Sequence, residues 1–210
     1  NMTQYGFFFD SEACIGCKTC QMACKNKNNL PVGNLFRRVY EWEHGTWEVG
    51  EGDTLPAPSD LFAYFIAMAC NHCENPACVA VCPSGALQKD PDTGIVWTDH
   101  DVCIGCRSCE KACPYHAPSF LEEEGYMGKC DFCKDQLERG EDPYCVRTCA
   151  LRALRYGDID ELRAEYGEGD VEAVPLPANT TNPSLVLIPH PKTEIMDVTM
   201  GEDPSLEYEL

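Results

Sequence analysis

The sequence has few basic residues for its acidic content. Its 210 residues include 16 Lys and Arg against 35 Asp and Glu, which gives a formal net charge of −19. Proteins that bind nucleic acids need a basic surface to contact the phosphates. The charge balance therefore argues against nucleic acid as a partner.

Long apolar runs and a targeting leader are also missing. The longest apolar stretch, LFAYFIAMAC at 61–70, is shorter than the roughly 20 residues that cross a bilayer, and we expect a buried strand there. We expect no leader that directs the protein to an oxidising compartment, because the first residues are not a basic segment followed by an apolar one. The pair Arg37-Arg38 is internal, and we expect an exposed or ion-paired strand position for it. We therefore expect a soluble protein with no direct membrane span.

No enzyme active site stands out. The sequence has no Ser/His/Asp set, no phosphate-binding loop and no paired carboxylates that would indicate one. The triplet Asn179-Thr180-Thr181 matches a glycosylation acceptor, but such triplets arise by chance and mean little without a secretion signal. We find no substrate site.

Cysteine, by contrast, is abundant. Sixteen cysteines lie in four segments, 14–25, 70–83, 103–114 and 129–149. These segments hold eight basic and seven acidic residues, whereas the rest of the sequence holds eight and twenty-eight. Nearby positive charge favours the thiolate, which is the form that binds metals. The basic residues expected to act in this way are Lys18, Lys25, Arg107, Lys111 and Lys134.

Two kinds of cysteine motif each occur twice. DSEACIGCKTCQMAC at 10–24 aligns without gaps to DHDVCIGCRSCEKAC at 99–113, and PACVAVCPSGAL at 76–87 resembles PYCVRTCALRAL at 143–154. The pairs CNHC at 70–73 and CDFC at 130–133 precede the second kind. The pattern indicates an internal duplication.

Local structure follows from the same motifs. The stretches YGFFFD, GIVWTD and SLVLIP predict short strands, and IDELRAEYG at 159–167 predicts a surface helix. Gly16 and Gly105 allow the backbone to approach closely the group that the cysteines bind. We call the closely spaced motifs at 14–24 and 103–113 the tight motifs, and those that begin with CNHC and CDFC the looser motifs. We expect a short helix to begin at the last cysteine of each tight motif.

Three chemistries compete for these cysteines. Disulfides are disfavoured because neighbouring cysteines two residues apart do not bridge well and no secretion signal is seen. Structural zinc takes two separated Cys-x-x-Cys pairs, which the segment 130–149 could supply. The tight motifs do not fit zinc, because their first three cysteines would bind a single metal centre and the fourth cysteine would not join them.

Iron–sulfur clusters explain the fourth cysteine. In bacterial two-cluster ferredoxins the motif is Cys-x2-Cys-x2-Cys-x3-Cys, and its last cysteine ligates the other cluster. Cys24 is therefore expected to belong to a different cluster from Cys14, Cys17 and Cys20. Sixteen cysteines then supply four [4Fe–4S] clusters with none left over. Counting alone permits several pairings between the tight and the looser motifs.

The motifs also carry a family resemblance. From QYGFFFD through CNHCENPACVAVCPSGAL, DVCIGCRSCEKACPY and GKCDFCKDQLERGEDPYCVRTCALRAL to YGDIDELR, the first 165 residues or so resemble the iron–sulfur electron-transfer subunits of complex iron–sulfur molybdoenzymes, above all the B-subunit type of anaerobic dimethyl sulfoxide reductase. Ala150 departs from the family, whose last cysteine is usually followed by proline. Cys106 is present where a related subunit has tryptophan, so the resemblance implies four cubanes.

The resemblance implies which cysteines share a cluster. It pairs the first motif with the fourth and the second with the third. The implied sets are set 1 (Cys14, Cys17, Cys20, Cys149), set 2 (Cys24, Cys130, Cys133, Cys145), set 3 (Cys70, Cys73, Cys78, Cys113) and set 4 (Cys82, Cys103, Cys106, Cys109).

The same resemblance implies a fold class of α+β with two ferredoxin-like modules, each binding two clusters. The outer module would comprise residues 1–54 and 129–165, the inner module 55–128 would be inserted in it, and 166–210 would form an extended C-terminal tail.

The function implied is electron transfer without catalysis. A quinol-oxidising membrane anchor subunit would supply the electrons and a molybdopterin catalytic subunit would receive them, in anaerobic respiration. The protein would be peripheral on the prokaryotic cytoplasmic membrane, on a face that the sequence does not indicate. A freestanding polyferredoxin and a zinc-stabilised interaction scaffold are the alternative interpretations.

Overall fold

A computed structural model describes residues 3–52, 54–173 and 176–193. The strands are β1 (Tyr5–Asp10), β2 (Arg38–Glu48), β3 (Ala57–Met68), β4 (Leu87–Lys89), β5 (Val96–Thr98), β6 (Ser119–Leu121), β7 (Tyr126–Gly128), β8 (Leu154–Asp158) and β9 (Leu185–Ile188). The helices are α1 (Thr19–Lys27), α2 (Ala77–Ala80), α3 (Ser108–Ala112), α4 (Lys134–Leu137), α5 (Tyr144–Arg147) and α6 (Ile159–Tyr166). Loops between these short elements carry most of the cysteines.

A three-stranded sheet joins the first strand of the protein to its last described strands. Strand β1 is central: it pairs antiparallel with β8 and parallel with β9. Its apolar side chains are buried on both faces, with Phe7 and Phe9 in the main core and Phe8 against α6. The strands predicted from YGFFFD and SLVLIP are confirmed as β1 and β9. The strand predicted from GIVWTD is confirmed as β5, which pairs with β4, and the helix predicted in IDELRAEYG is confirmed as α6. Asp158 caps that helix by accepting hydrogen bonds from the backbone N–H groups of Asp160 and Glu161.

Strands β2 and β3 form a long antiparallel hairpin. The ends nearest the body are buried, whereas the far end is exposed and presents Trp47, which is 72% exposed. The apolar stretch 61–70 is therefore only partly the buried strand that we expected, because Leu61 is exposed and burial begins at Tyr64. The predicted boundary between residues 54 and 55 falls between these paired strands, and the division into modules stays a prediction.

The two tight cysteine motifs repeat the same backbone. Gly16 and Gly105 have φ of 64° and 63°, and the basic residues Lys18 and Arg107 have φ of 56° and 60°. Each left-handed basic residue is followed at once by a helix, α1 or α3. Each helix therefore begins before the third cysteine of its motif. The expectation that it begins at the fourth cysteine is wrong.

The looser motifs also repeat. Pro76 and Pro143 stand immediately before the one-turn helices α2 and α5, where a proline fits without losing a helix hydrogen bond. The third residues of CNHC and CDFC, His72 and Phe132, both have positive φ, 45° and 64°. The duplication in sequence is thus a duplication of backbone conformation.

The described part of the predicted tail packs on the body through β9, and residues 194–210 lie outside the described residues. Within the described part of the protein, none of the helices has the length and apolar character to cross a membrane. The main core contains most of the buried apolar residues, and a second, smaller core packs around Cys78, Leu87, Val96, Cys109 and Met127.

Candidate metal centre

Four cysteines line one cavity. The cavity lies between the CNHC loop, α2 and the residues after α3. Its cysteines are Cys70, Cys73, Cys78 and Cys113. Burial is the largest cause that raises the pKa values of Cys73 and Cys78 to about 12, and the negative charges of neighbouring cysteines in the group add to it. Such thiols need a positive centre to become thiolates.

A second cavity is lined by four other cysteines. It lies beside β7 and the residues that follow α2. Its cysteines are Cys82, Cys103, Cys106 and Cys109. Helix α2 contacts α3, so the two cavities are neighbours.

The cysteines of the first and fourth segments lie together where α1 contacts α5. The pKa of Cys14 is raised by burial and then by the negative charges of Cys149 and Cys17. Burial also raises the pKa of Cys20 to about 11, with further increases from Cys145, Cys14 and Cys149. Cys149 therefore lies near the first motif, although it is more than a hundred residues away in sequence.

Four further cysteines are all buried, namely Cys24, Cys130, Cys133 and Cys145. Burial raises the pKa of Cys24 to about 12, and Cys145 and Cys133 raise it further. The pKa of Cys130 is raised well above its ordinary value by burial and by the charges of Cys24, Cys133 and Cys70. Cys130 is thus a neighbour of both this group and the first cavity.

Hydrogen-bond donors point at several sulfurs. Backbone N–H groups of Leu87, Met127 and Phe132 donate to Cys82, Cys103 and Cys130 at 3.4–3.5 Å. Donors of this kind stabilise negative charge on sulfur and are a common feature of iron–sulfur sites.

Hydroxyl groups also contact sulfur. Thr19 Oγ1 donates to Cys17 Sγ at 3.3 Å, Thr181 Oγ1 donates to Cys73 Sγ at 3.2 Å, and Cys106 Sγ is hydrogen-bonded to Ser108 Oγ at 3.4 Å. The Thr19 hydroxyl and backbone lower the pKa of Cys17, and those of Ser108 lower the pKa of Cys106.

Arg37 is the buried cation that sequence reasoning missed. It is only 2% exposed and forms no ion pair among the described residues, so the expectation of an exposed or ion-paired position is wrong. One amino group donates to Ala67 O at 3.0 Å and the guanidinium lies 4.6 Å from the centre of the Phe7 ring. Its Nε and Nη2 atoms have no partner among the residues that the structure describes.

The cysteines are the negative groups around this guanidinium. Burial by itself lowers the pKa of Arg37, yet the negative charges of neighbouring cysteines raise it overall; in decreasing order these are Cys145, Cys20, Cys130 and Cys24. An uncompensated buried charge costs several kcal/mol, so a guanidinium with two unpartnered N–H groups calls for an anion nearby.

Lys129 is a second buried cation. Its ammonium donates to Cys130 O at 2.7 Å and to Val96 O, and it lines the cavity of Cys70. The five basic residues singled out from sequence are half-buried or exposed instead. Arg107, for example, pairs with Glu122 at 3.0 Å, and Lys134 with Asp90 at 3.4 Å.

The cysteine groups fit cubane clusters in their chemistry. Within the described ranges, no three His, Cys, Asp or Glu side chains converge to ligate a single metal ion. Cysteines that line a cavity on several sides suit a cubane, because each thiolate binds a separate iron. Clusters with four thiolates carry negative charge, which matches the buried Arg37 and Lys129.

Two family models match the sequence. A model described as a 4Fe-4S dicluster domain matches residues 61–159, and one described as a 4Fe-4S binding domain matches residues 5–26. The two ranges together contain all sixteen cysteines.

Several curated proteins are similar over nearly the whole length. The B subunit of the anaerobic dimethyl sulfoxide reductase from Escherichia coli (strain K12) is 49% identical, covering 95% of each protein. The probable anaerobic dimethyl sulfoxide reductase subunit YnfG from the same strain is 47% identical, again over 95% of each protein. The B subunit of the Haemophilus influenzae reductase is 44% identical over 95% of this protein and 96% of its own length.

Proposed function

Because this protein belongs to the family of iron–sulfur electron-transfer subunits, or B subunits, of anaerobic dimethyl sulfoxide reductases, we propose that it holds four [4Fe–4S] clusters that relay electrons between two partner subunits. It is an electron-transfer subunit and not the catalytic one. The observation that supports four clusters best is that each of two cavities is lined by four cysteines and by no other cysteine.

The proposed ligands are the four sets implied by the family resemblance. The two cavities support sets 3 and 4. The effects of Cys149 and Cys17 on the pKa of Cys14 support set 1, and those of Cys145 and Cys133 on the pKa of Cys24 support set 2. When bound, each cluster supplies a site that accepts and releases one electron. The protein supplies thiolate ligands, excludes water and holds positive charge close to them.

The sets are proposed to form one path in the order 1, 2, 3, 4. Cys20 of set 1 neighbours Cys145 of set 2, and Cys130 of set 2 neighbours Cys70 of set 3. Sets 3 and 4 are linked by α2 and α3, which contact each other and carry cysteines of both. Joining sets 1 and 2 into an outer module, and sets 3 and 4 into an inner one, agrees with the pairing of β1 with β8.

Exposure suggests where electrons enter and leave. Among the sixteen cysteines, all of which lie in the described ranges, only Cys17 in set 1 and Cys106 in set 4 are exposed, while all of set 2 is buried. Exposed apolar residues flank both of these, for instance Ile15 and Ile104. A path with buried middle sites and two accessible ends suits a protein placed between two partners.

The partners proposed are a molybdopterin catalytic subunit at the set 1 end and a membrane quinol-oxidising subunit at the set 4 end. This order follows the family resemblance, because the two ends are built alike. The protein would then be peripheral on the prokaryotic cytoplasmic membrane as part of the complex.

The test is anaerobic purification of the complex followed by metal analysis. The proposal expects a brown protein with about 16 irons in each copy of this subunit, four from each cluster. It also expects a large molybdenum-containing partner to copurify. A colourless, zinc-loaded protein would contradict the proposal, and a brown protein that purifies alone would favour a freestanding polyferredoxin.

A further inference from the structure

The described part of the C-terminal tail packs against the loop that begins with Cys70. The Ser184 backbone N–H donates to Asn71 O at 3.0 Å, and the Ser184 hydroxyl donates to His72 O at 3.0 Å. In return, the Asn75 N–H donates to Thr181 O at 3.1 Å. Ser184 also accepts from the Phe7 N–H of β1 at 3.0 Å. Residues 181–184 thus tie the CNHC loop to the central strand of the sheet.

Within this segment, the side chain of Thr181 is aimed at a sulfur. Thr181 is 4% exposed, lines the cavity of Cys70, and donates from Oγ1 to Cys73 Sγ at 3.2 Å. The contact joins residues 108 positions apart. In contrast, the hydroxyl contacts of Cys17 and Cys106 come from residues two positions away, Thr19 and Ser108, within the same motif.

A hydroxyl donor at this sulfur has a defined electrostatic effect. It stabilises negative charge on Cys73, and reduction adds negative charge to a cluster and its thiolates. Burial makes the effect larger, because water does not compete for the donor.

We propose that Thr181, supplied by the tail, sets the reduction potential of the cluster held by Cys70, Cys73, Cys78 and Cys113. The proposal rests on the ligand set given under the proposed function. It assigns the tail a role in electron transfer: the segment closes the cavity and supplies a donor to one ligand. Thr181 is the last residue of the triplet Asn179-Thr180-Thr181, and its hydroxyl donates a hydrogen bond to the Cys73 sulfur.

The test compares Thr181→Val with Thr181→Ser in the full-length protein, purified anaerobically with its clusters. Valine keeps the shape and removes the donor, whereas serine keeps the donor. Redox titration followed by electron paramagnetic resonance should show one cluster titrating at a lower potential in Thr181→Val. We expect the equilibrium constant for its reduction to fall on the order of fivefold, which is about 40 mV at 59 mV per decade. Thr181→Ser should keep the original potential.

Thr19→Val is the control at an exposed sulfur, because it removes the same group beside Cys17, where water can replace the donor. It should shift a different cluster from the one that Thr181→Val shifts, and by less. If both variants shift the same cluster, the proposed ligand sets are wrong. If Thr181→Val keeps about 16 irons and shifts no cluster, the four proposed clusters stand and the role of Thr181 is refuted.

Cluster content separates tuning from folding. Iron and sulfide are measured in every variant before titration. Loss of one cluster in Thr181→Val but not in Thr181→Ser would contradict the proposal, because the hydroxyl would then hold the cluster in place and not tune its potential. Equal loss in both variants would contradict it, because packing alone would then explain the effect.

Discussion

Arg37→Met should lower the potentials of two clusters together. Arg37 is 2% exposed, and the cysteines whose negative charges raise its pKa come from two ligand sets, led by Cys145 in set 2 and Cys20 in set 1. A positive charge stabilises the reduced, more negative form of a cluster, so its removal disfavours reduction. Methionine fills similar space, and replacing a buried charge by an apolar side chain is often tolerated.

The expected size follows from Coulomb's law. A unit charge on the order of 8 Å away at an effective dielectric constant of about 20 contributes about 2 kcal/mol, which is about 90 mV for a one-electron couple. Burial keeps dissolved salt from screening the interaction, so the shift should persist at high ionic strength. Redox titration monitored by electron paramagnetic resonance measures both potentials in one sample.

The controls are Arg37→Lys and Arg38→Met. Lysine keeps the charge and should give a smaller shift than methionine. Arg38 is the next residue in the sequence, is half-buried, and donates to His116 O at 2.7 Å; its loss should leave the two potentials nearly unchanged. If Arg37→Met retains all its iron and shifts neither potential, or if Arg38→Met shifts them equally, the electrostatic reasoning fails.

Three further predictions concern the path and the motifs. Cys106→Ser should damage the end that receives electrons, so turnover driven by quinol should fall steeply. A small dye that donates electrons nearer the catalytic subunit should still support turnover in this variant. Cys17→Ser should also block turnover driven by quinol, and if the dye fails in that variant too, the dye needs the cluster at Cys17. Gly105→Ala should destabilise the folded protein by about 2–4 kcal/mol in thermal or denaturant unfolding, since φ is 63° and the new Cβ would lie 2.6 Å from a backbone oxygen. Gly33→Ala, with open space around it, should cost about 1 kcal/mol. Equal losses of stability in the two variants would refute the steric argument. Arg107→Glu should lower the potential of the nearby cluster by less than the buried arginine variant does, because Arg107 is exposed and already paired with acidic groups; a larger shift would contradict this ranking.

The cysteine motifs and the short strands could be predicted because their signals are local. Spacing within CIGCKTC and CIGCRSC fixes the loop, and alternation or apolar content marks strands such as YGFFFD. The helix in IDELRAEYG carries its own cap, Asp158, one residue before it. None of these inferences needed a contact between distant parts of the sequence.

The helix starts were misplaced for a physical reason. Spacing shows where cysteines lie but not where the backbone turns into a helix. The left-handed conformation of Lys18 and Arg107 completes the loop, so the helices begin at Thr19 and Ser108. A basic residue at a positive φ has no clear sequence signal, since glycine is the residue usually found there.

The surroundings of the cysteines could not be predicted, because they depend on tertiary packing. Nothing in FRRVYEW distinguishes the buried Arg37 from its half-buried neighbour Arg38. Thr181 contacts Cys73 across 108 residues, and the chance match of its triplet to a glycosylation acceptor gives no sign of this contact. Charge counting selected basic residues near the cysteines in sequence, but it could not show that Lys129, beside Cys130, is buried, nor that Arg37, outside the cysteine segments, is buried among the cysteines.

The central claim is that four cubanes are held by the four proposed sets of cysteines. The most direct measurement is a structure of the anaerobically prepared protein with iron positions located by anomalous scattering. We predict four separate cubes, with Cys24 ligating the same cube as Cys130, Cys133 and Cys145. A structure with Cys24 on a cube with Cys70, or with zinc in place of iron, would contradict this claim.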